Sequence, residues 1–97
     1  MDLKSLIVSD GEIRKLVMTS ASVELEFIDY CESRLRICFS GVREANVDHD
    51  SIGCRLEDLQ IDRSSEKTTI RFLDEDGACA ELILDASFEY TIDLLDD

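Results

Sequence analysis

The residues whose types most suggest chemistry lie in the stretch NVDHDSIGC, residues 46–54. His49, the single histidine of the chain, stands between Asp48 and Asp50, and Cys54 follows five residues later. In an extended chain His49 and the two carboxylates point to opposite sides, so a metal site would require a turn that brings them together. Firm transition-metal sites use three or four protein ligands. We therefore predict an Asp-rich polar turn, in which His49 is exposed to solvent and holds no metal tightly.

A second acidic stretch, DEDG at residues 74–77, has the composition of a calcium-binding loop. An EF-hand loop places Gly at its sixth position and a bidentate Glu at its twelfth. Here Gly77 is the fourth residue, and a β-prone run follows at once. The stretch is therefore interpreted as a hairpin turn.

Sequence patterns typical of enzymes are missing from this chain. It has no GxSxG, no glycine-rich phosphate loop and no HExxH motif, and the local spacing of His49 and Cys54 is weak support for a catalytic dyad. None of the cysteines belongs to a CxxC pair, so a structural zinc site is not predicted. The four are Cys31, Cys38, Cys54 and Cys79. We expect a non-enzymatic protein with reduced thiols and no cofactor.

Acidic side chains dominate the composition, since 23 Asp and Glu against 10 Lys and Arg give a formal net charge of −13. This field repels nucleic-acid phosphates, and no cluster of Lys or Arg reverses it locally, so nucleic-acid binding is not expected. The same field speeds the encounter with a basic protein. We therefore expect a protein partner, contacted by acidic side chains of strand faces and loops. The candidates are Glu24, Glu26, Asp48, Asp50, Asp74, Glu75 and Asp76.

The length of 97 residues and the 44% apolar content predict a single domain, residues 1–97. Charged residues interrupt every apolar run well short of the roughly 18 residues that a membrane span needs, so no membrane contact is expected. The opening residues, MDLKSLIVSD, have an acidic residue at position 2 and an apolar run of three, which is unlike a signal peptide. We expect a cytoplasmic protein.

Alternating polarity from Val23 onwards predicts a first β-hairpin. With a five-residue loop at residues 29–33, Val23 faces Phe39 and the apolar side chains share one side of the sheet. The same register places Glu26 opposite Arg36 on the other side, where an ion pair is favourable. A single register therefore places the apolar side chains together on one face and the oppositely charged residues together on the other.

A second hairpin is predicted from the Asp-Gly dipeptide within TTIRFLDEDGACAELIL. A three-residue loop, Glu75–Gly77, places Phe72 opposite Ala80 and Arg71 opposite Glu81, and the last pairing is favourable. The third position of such a loop prefers a positive φ, which the glycine supplies.

Two further strands are predicted at residues 56–62 and 88–94, with a loop in DRSSEK at residues 62–67. The N-terminal segment SDGEIRKLVM fits either a strand or a helix that begins with a capping box, and we expect a short helix at residues 10–18. Strands with one apolar face predict an antiparallel sheet. The expected fold is mainly β, a small antiparallel β-sandwich or barrel of about six strands, with or without the short N-terminal helix.

The size, acidity and hairpin pattern of the chain resemble those of small bacterial immunity-type proteins, which block toxins. The resemblance implies an inhibitor that binds a basic partner protein. The alternative hypothesis is a structural β protein that self-associates into a homo-oligomer, with strand 88–94 pairing across a two-fold axis. A charge of −13 per chain opposes self-association, so this alternative requires an apolar interface.

Overall fold

The computed structural model describes residues 8–47, 52–53 and 55–95. Within them, six antiparallel strands form one sheet in the order β1-β2-β3-β6-β5-β4. The strands are β1 Glu12–Thr19, β2 Ser22–Ile28, β3 Arg34–Val47, β4 Asp58–Arg63, β5 Lys67–Asp74 and β6 Gly77–Leu95. The predicted class, an antiparallel mainly β domain of about six strands, is confirmed.

The helix predicted at residues 10–18 is wrong, because Glu12–Thr19 forms strand β1. The helical spacing of Ile13 and Leu16 has a different cause. A register shift between Ile13 and Lys15 inserts an extra residue into the strand, so that two side chains three positions apart both face the core. The described part of the chain contains no helix with the length and apolarity needed to cross a bilayer.

The first predicted hairpin is confirmed in its register. Val23 pairs with Phe39, and Glu26 pairs with Arg36 in the adjoining strand. The ion pair differs from the prediction, since Arg36 Nε lies 2.8 Å from a carboxylate oxygen of Glu24, one step along the same face. This contact is electrostatic, because the same Nε has no hydrogen-bond partner of suitable geometry among the described residues.

The second hairpin has the predicted register, with Phe72 opposite Ala80, but a shorter loop. Gly77 pairs with the last residue of β5, which leaves the two-residue loop Glu75–Asp76 instead of three residues. The shorter loop is offset further along β6, where a register shift makes Cys79 an extra residue opposite the step from Phe72 to Leu73 of β5. Gly77 has the expected positive φ, +124°.

The predicted C-terminal strand 88–94 is continuous with the second hairpin, because β6 runs through Gly77–Leu95. Residues 77–85 of β6 pair with β5, and residues 89–95 pair with residues 34–40 of β3. Two predicted strands thus form the single strand β6, while the segment predicted as a helix forms strand β1. The predicted total of about six strands is therefore correct.

The sheet folds over on itself because β3 bends at Gly41. This residue has φ +76°, a conformation that favours glycine, and register shifts flank the neighbouring Val42. The two halves of the sheet bury their inner faces in one apolar cluster. Its largest fully buried side chains include Phe27, Phe39, Phe72, Ile13, Leu25, Ile37, Leu56 and Ile70.

Residues 55–57, just before β4, pair with the start of β1 and with the turn that precedes it. The Leu56 N–H donates to the Gly11 carbonyl at 2.7 Å, and the Asp10 N–H donates to the Leu56 carbonyl at 2.9 Å. The N–H that follows Leu56 donates to the Leu73 carbonyl of β5 at 2.8 Å. The segment therefore closes one end of the folded sheet with backbone hydrogen bonds.

Candidate partner-binding site

Two adjoining clefts open at the end of the sheet that residues 55–57 close. The larger cleft, about 590 Å³, is lined by Ser9, Asp10, Arg55, Leu56, Glu57, Asp74, Glu75 and Asp76. The smaller, about 430 Å³, is lined by Asp10, Gly11, Glu12, Ile28, Asp29, Tyr30, Glu32, Gly53 and Arg55. Because Asp10 and Arg55 belong to both, the clefts form one surface. We call this surface, with its charged lining residues, the acidic end.

The acidic end carries eight carboxylates and one guanidinium. Glu12 is paired with Arg14 at 3.2 Å, and Asp29 accepts the Ser33 N–H at 2.8 Å within its own loop. Asp74 accepts the N–H of the second residue after it at 2.8 Å. The carboxylates of the other five form neither an ion pair nor a hydrogen bond among the described residues. They are Asp10, Glu32, Glu57, Glu75 and Asp76.

Packing beneath the surface sets the position of Asp10. This residue has φ +64° in a tight turn, where the Gly11 N–H donates to the Val8 carbonyl at 2.9 Å. Asp tolerates the left-handed region better than most residues. Gly11 is buried so closely that a Cβ there would contact the Phe27 ring and lie 2.7 Å from the Ile28 carbonyl oxygen. Close packing of Gly11 against Phe27 and Ile28 therefore fixes the position of this turn.

An exposed aromatic side chain lines the smaller cleft. Tyr30 lies at the tip of the β2–β3 loop and is 57% exposed. A side-chain hydrogen bond with Cys31 raises the pKa of Tyr30, and the nearby charge of Asp29 raises it further. The phenol therefore remains protonated at neutral pH and can serve both as a hydrogen-bond donor and as an apolar contact.

The structure brings three of the predicted partner-binding residues together in the larger cleft: Asp74, Glu75 and Asp76. Glu24 and Glu26 lie elsewhere, on the outer face of β2, where Glu24 is exposed and Glu26 is half-buried. These two share that face with the arginines of β3 rather than with the clefts.

The stretch NVDHDSIGC falls largely outside the described residues, including Asp48, His49, Asp50 and Cys54. The prediction of a polar turn with an exposed histidine therefore stays a prediction. Among the described residues, no three His, Cys, Asp or Glu side chains are placed to hold a metal ion. The three described cysteines are free thiols, of which Cys31 is exposed, Cys38 half-buried and Cys79 buried.

Sequence reasoning missed the other charged residues of this site, which are Asp10, Glu12, Asp29, Glu32, Arg55 and Glu57. The Asp-Gly dipeptide at residues 10–11 was a usable signal, because this dipeptide marks turns rather than helix starts. No comparable signal joins residues 55–57 to the β5–β6 turn. That contact depends on the backbone hydrogen bonds that close the sheet.

Four carboxylates on the strands outside the acidic end, Glu24, Asp62, Glu81 and Asp85, have cationic partners. Arg71 binds Asp62 at 2.5 Å and Glu81 at 2.9 Å, and these hydrogen bonds, the one to Asp62 most strongly, raise the pKa of Arg71. Arg43 binds Asp85 at 2.6 Å and also donates to a backbone carbonyl of the β4–β5 turn. These carboxylates form ion pairs with arginines of the same chain, in contrast to most carboxylates of the acidic end.

Comparisons with protein-family models, with curated proteins and with solved structures found no significant match to this chain. Its function is therefore argued from its own geometry.

Proposed function

We propose that this protein is a non-enzymatic binding module that engages a basic protein of the cytoplasm through the acidic end. The observation that carries the proposal is the local imbalance of eight carboxylates against one guanidinium. Five of these carboxylates form neither an ion pair nor a hydrogen bond within the described part of the fold. A partner that supplies Lys or Arg would satisfy them without disturbing any existing contact.

The shape of the acidic end suits side chains that enter it. Clefts of about 590 and 430 Å³ admit the long stems of Lys or Arg, whose charged heads then reach several carboxylates. Arg55 lies between the clefts, and it would repel a cation placed there and attract an acidic group. Such mixed charge favours one docking orientation over others.

An immunity-type inhibitor is one form of this function. An acidic end of this kind would cover a cationic surface that a toxin uses to bind its own substrate. Long-range attraction between −13 on this chain and a basic partner would raise the association rate. The complex would therefore weaken as salt rises.

The test compares two double variants that change the net charge equally. Asp10→Asn/Glu57→Gln neutralises the acidic end, and Glu44→Gln/Glu66→Gln neutralises exposed carboxylates outside the two clefts. Each is immobilised alongside the wild type, exposed to cytoplasmic extract of the source cells at low salt, and the retained proteins are identified by mass spectrometry. Candidate partners are then purified and their Kd values measured by calorimetry.

We expect a basic protein that the wild type and the Glu44/Glu66 variant retain, and whose Kd rises about tenfold or more with the Asp10/Glu57 variant. Equal retention by both variants would show that the net charge, not the acidic end, attracts the protein. Failure to retain any specific basic protein at low salt would also contradict the proposal.

A further inference from the structure

Arg55 stands among the carboxylates of the acidic end without pairing with any carboxylate that the structure describes. It is exposed and lines both clefts. The other arginines of the chain are engaged. They are Arg14, Arg36, Arg43 and Arg71 in ion pairs, Arg63 over the Phe88 ring, and Arg34 in a further interaction. Within the described chain, the guanidinium of Arg55 is therefore the one that remains for a group of another molecule.

The carboxylate that could most easily reach Arg55 is paired elsewhere. The backbones of Arg55 and Glu12 form an antiparallel bridge, which places the two residues opposite each other. The carboxylate of Glu12 nevertheless binds Arg14 at 3.2 Å. Two further carboxylates of the acidic end, those of Asp29 and Asp74, accept backbone N–H groups of their own turns. The local fold thus directs these anions to groups other than Arg55.

The backbone that carries Arg55 is fixed on both sides. The Gly53 N–H donates to the Ile13 carbonyl at 2.8 Å, and the Leu56 N–H donates to the Gly11 carbonyl at 2.7 Å. Leu56 is fully buried, so the alternation of an extended chain directs the preceding side chain, that of Arg55, towards solvent. The fold therefore presents this guanidinium at a defined place between the two clefts.

We propose that Arg55 binds a carboxylate of the partner protein, while basic side chains on either side of that carboxylate enter the two clefts. This inference rests on the function proposed above and names the contact that the partner supplies, an extended segment in which Asp or Glu lies between Lys or Arg residues. A guanidinium and a carboxylate form paired charge-assisted hydrogen bonds, which a neutral amide does not match.

Charge complementarity is the reason for choosing a segment of mixed sign. A solely acidic ligand at Arg55 would meet eight carboxylates of its own sign, and a solely basic segment would place a cation beside the guanidinium. A segment that alternates in sign avoids both conflicts. In an extended chain every second side chain points to the same face, at intervals of about 7 Å, so one face can present a base, an acid and a base in turn.

The probes are three capped peptides in which Lys alternates with Gly. The first has Glu at its centre, the second has Gln there, and the third has the composition of the first with Glu moved to one end. Calorimetry at about 50 mM salt, where screening is weak, gives their Kd values for the wild type, Arg55→Gln and Lys67→Gln. Lys67 is exposed and lies outside both clefts, so its variant is the control for net charge.

For the wild type, we expect the peptide with central Glu to bind at least about fivefold more tightly than the other two, although the Gln peptide carries one more positive charge. With Arg55→Gln this preference should reverse in favour of the Gln peptide, because only attraction to the carboxylates remains. A reversal, in contrast to a loss of binding, also shows that the variant is folded. Lys67→Gln should keep the preference of the wild type.

The alternative role of Arg55, to reduce repulsion among the carboxylates, gives a different result. The wild type would then prefer the Gln peptide, or Arg55→Gln would leave the preference unchanged. Either outcome would overturn the inference and leave the proposed function standing, because a basic segment still binds. Equal affinity for central and terminal Glu would overturn it as well. If no peptide binds, the inference fails together with the attraction for basic segments on which the proposed function depends.

Discussion

The acidic end and the outer strand faces use the same kinds of side chain in different ways. On the outer faces Arg36, Arg43 and Arg71 each lie within 3 Å of a carboxylate, and the pairs tie neighbouring strands together. At the acidic end, carboxylates surround Arg55, which forms no ion pair among the described residues. Carboxylates that are paired with an arginine contribute to the fold. A group of carboxylates without such a partner is available to another protein.

The two regions also differ in what holds them. The outer faces rest on cross-strand ion pairs, while the acidic end is positioned by the Gly11 turn, by buried Leu56 and by backbone hydrogen bonds. A change of charge would therefore weaken the ion pairs of the outer faces. A change in packing would displace the residues of the acidic end.

The largest expected effect is that of Gly11→Ala. The new Cβ would contact the Phe27 ring and lie 2.7 Å from the backbone oxygen of Ile28, which cannot move independently of the sheet. We expect the free energy of unfolding to fall by about 1–3 kcal/mol, as in overpacked cores. Urea unfolding monitored by circular dichroism would measure it.

Ser9→Ala, at an exposed neighbouring position, is the control and should stay within about 0.5 kcal/mol of the wild type. In the background of Phe27→Leu, Gly11→Ala should cost less, because part of the clash is removed. An unchanged stability of the single variant Gly11→Ala would contradict the account of how the turn is held.

A smaller effect, with opposite signs in the two regions, is expected from neutralising carboxylates. Asp62→Asn/Glu81→Gln removes the partners of Arg71 and should lower the free energy of unfolding, by a small amount because solvent screens these exposed pairs. Asp10→Asn/Glu57→Gln relieves repulsion among like charges and should raise it by a few tenths of a kcal/mol.

Thermal unfolding at low salt would measure both double variants, which change the net charge equally. At about 1 M salt both differences should shrink, because the charges are screened. If the two variants shift the melting temperature in the same direction, the distinction between paired and unpaired carboxylates does not hold.

The smallest effect is expected at His49, next to this surface in sequence. The sequence predicts an exposed turn residue there, and such a residue should tolerate His49→Ala within about 0.5 kcal/mol. A metal site would instead make stability depend on a chelator and on pH near the histidine pKa of about 6.5. A chelator-induced loss of several degrees in the wild type, absent in His49→Ala, would refute the turn.

Local patterns were sufficient for much of the fold. Period-two alternation predicted both hairpins, because a register that slips by one residue would turn every apolar side chain outward. The pairing of Val23 with Phe39 and of Phe72 with Ala80 is therefore as predicted. Turn chemistry likewise predicted the positive φ of Gly77.

Bulges are where this reasoning failed. The extra residue between Ile13 and Lys15 gives a strand the spacing of a helix, and the one at Cys79 shortens the β5–β6 loop. A bulge is stabilised by what packs on either side of it, so its position is not visible in a local pattern. The same holds for the bend at Gly41, which decides that β3 serves both halves of the sheet.

The sequence by itself determined that this is an acidic, antiparallel β domain, and which residues alternate between core and solvent, because burial follows strand periodicity. Only the tertiary structure decided which carboxylates meet. Asp10, Glu57 and Asp74 are far apart in the chain, and they line one cleft because residues 55–57 join the turn before β1 to β5 through backbone hydrogen bonds. Those bonds depend on the closure of the whole sheet, which no local segment specifies.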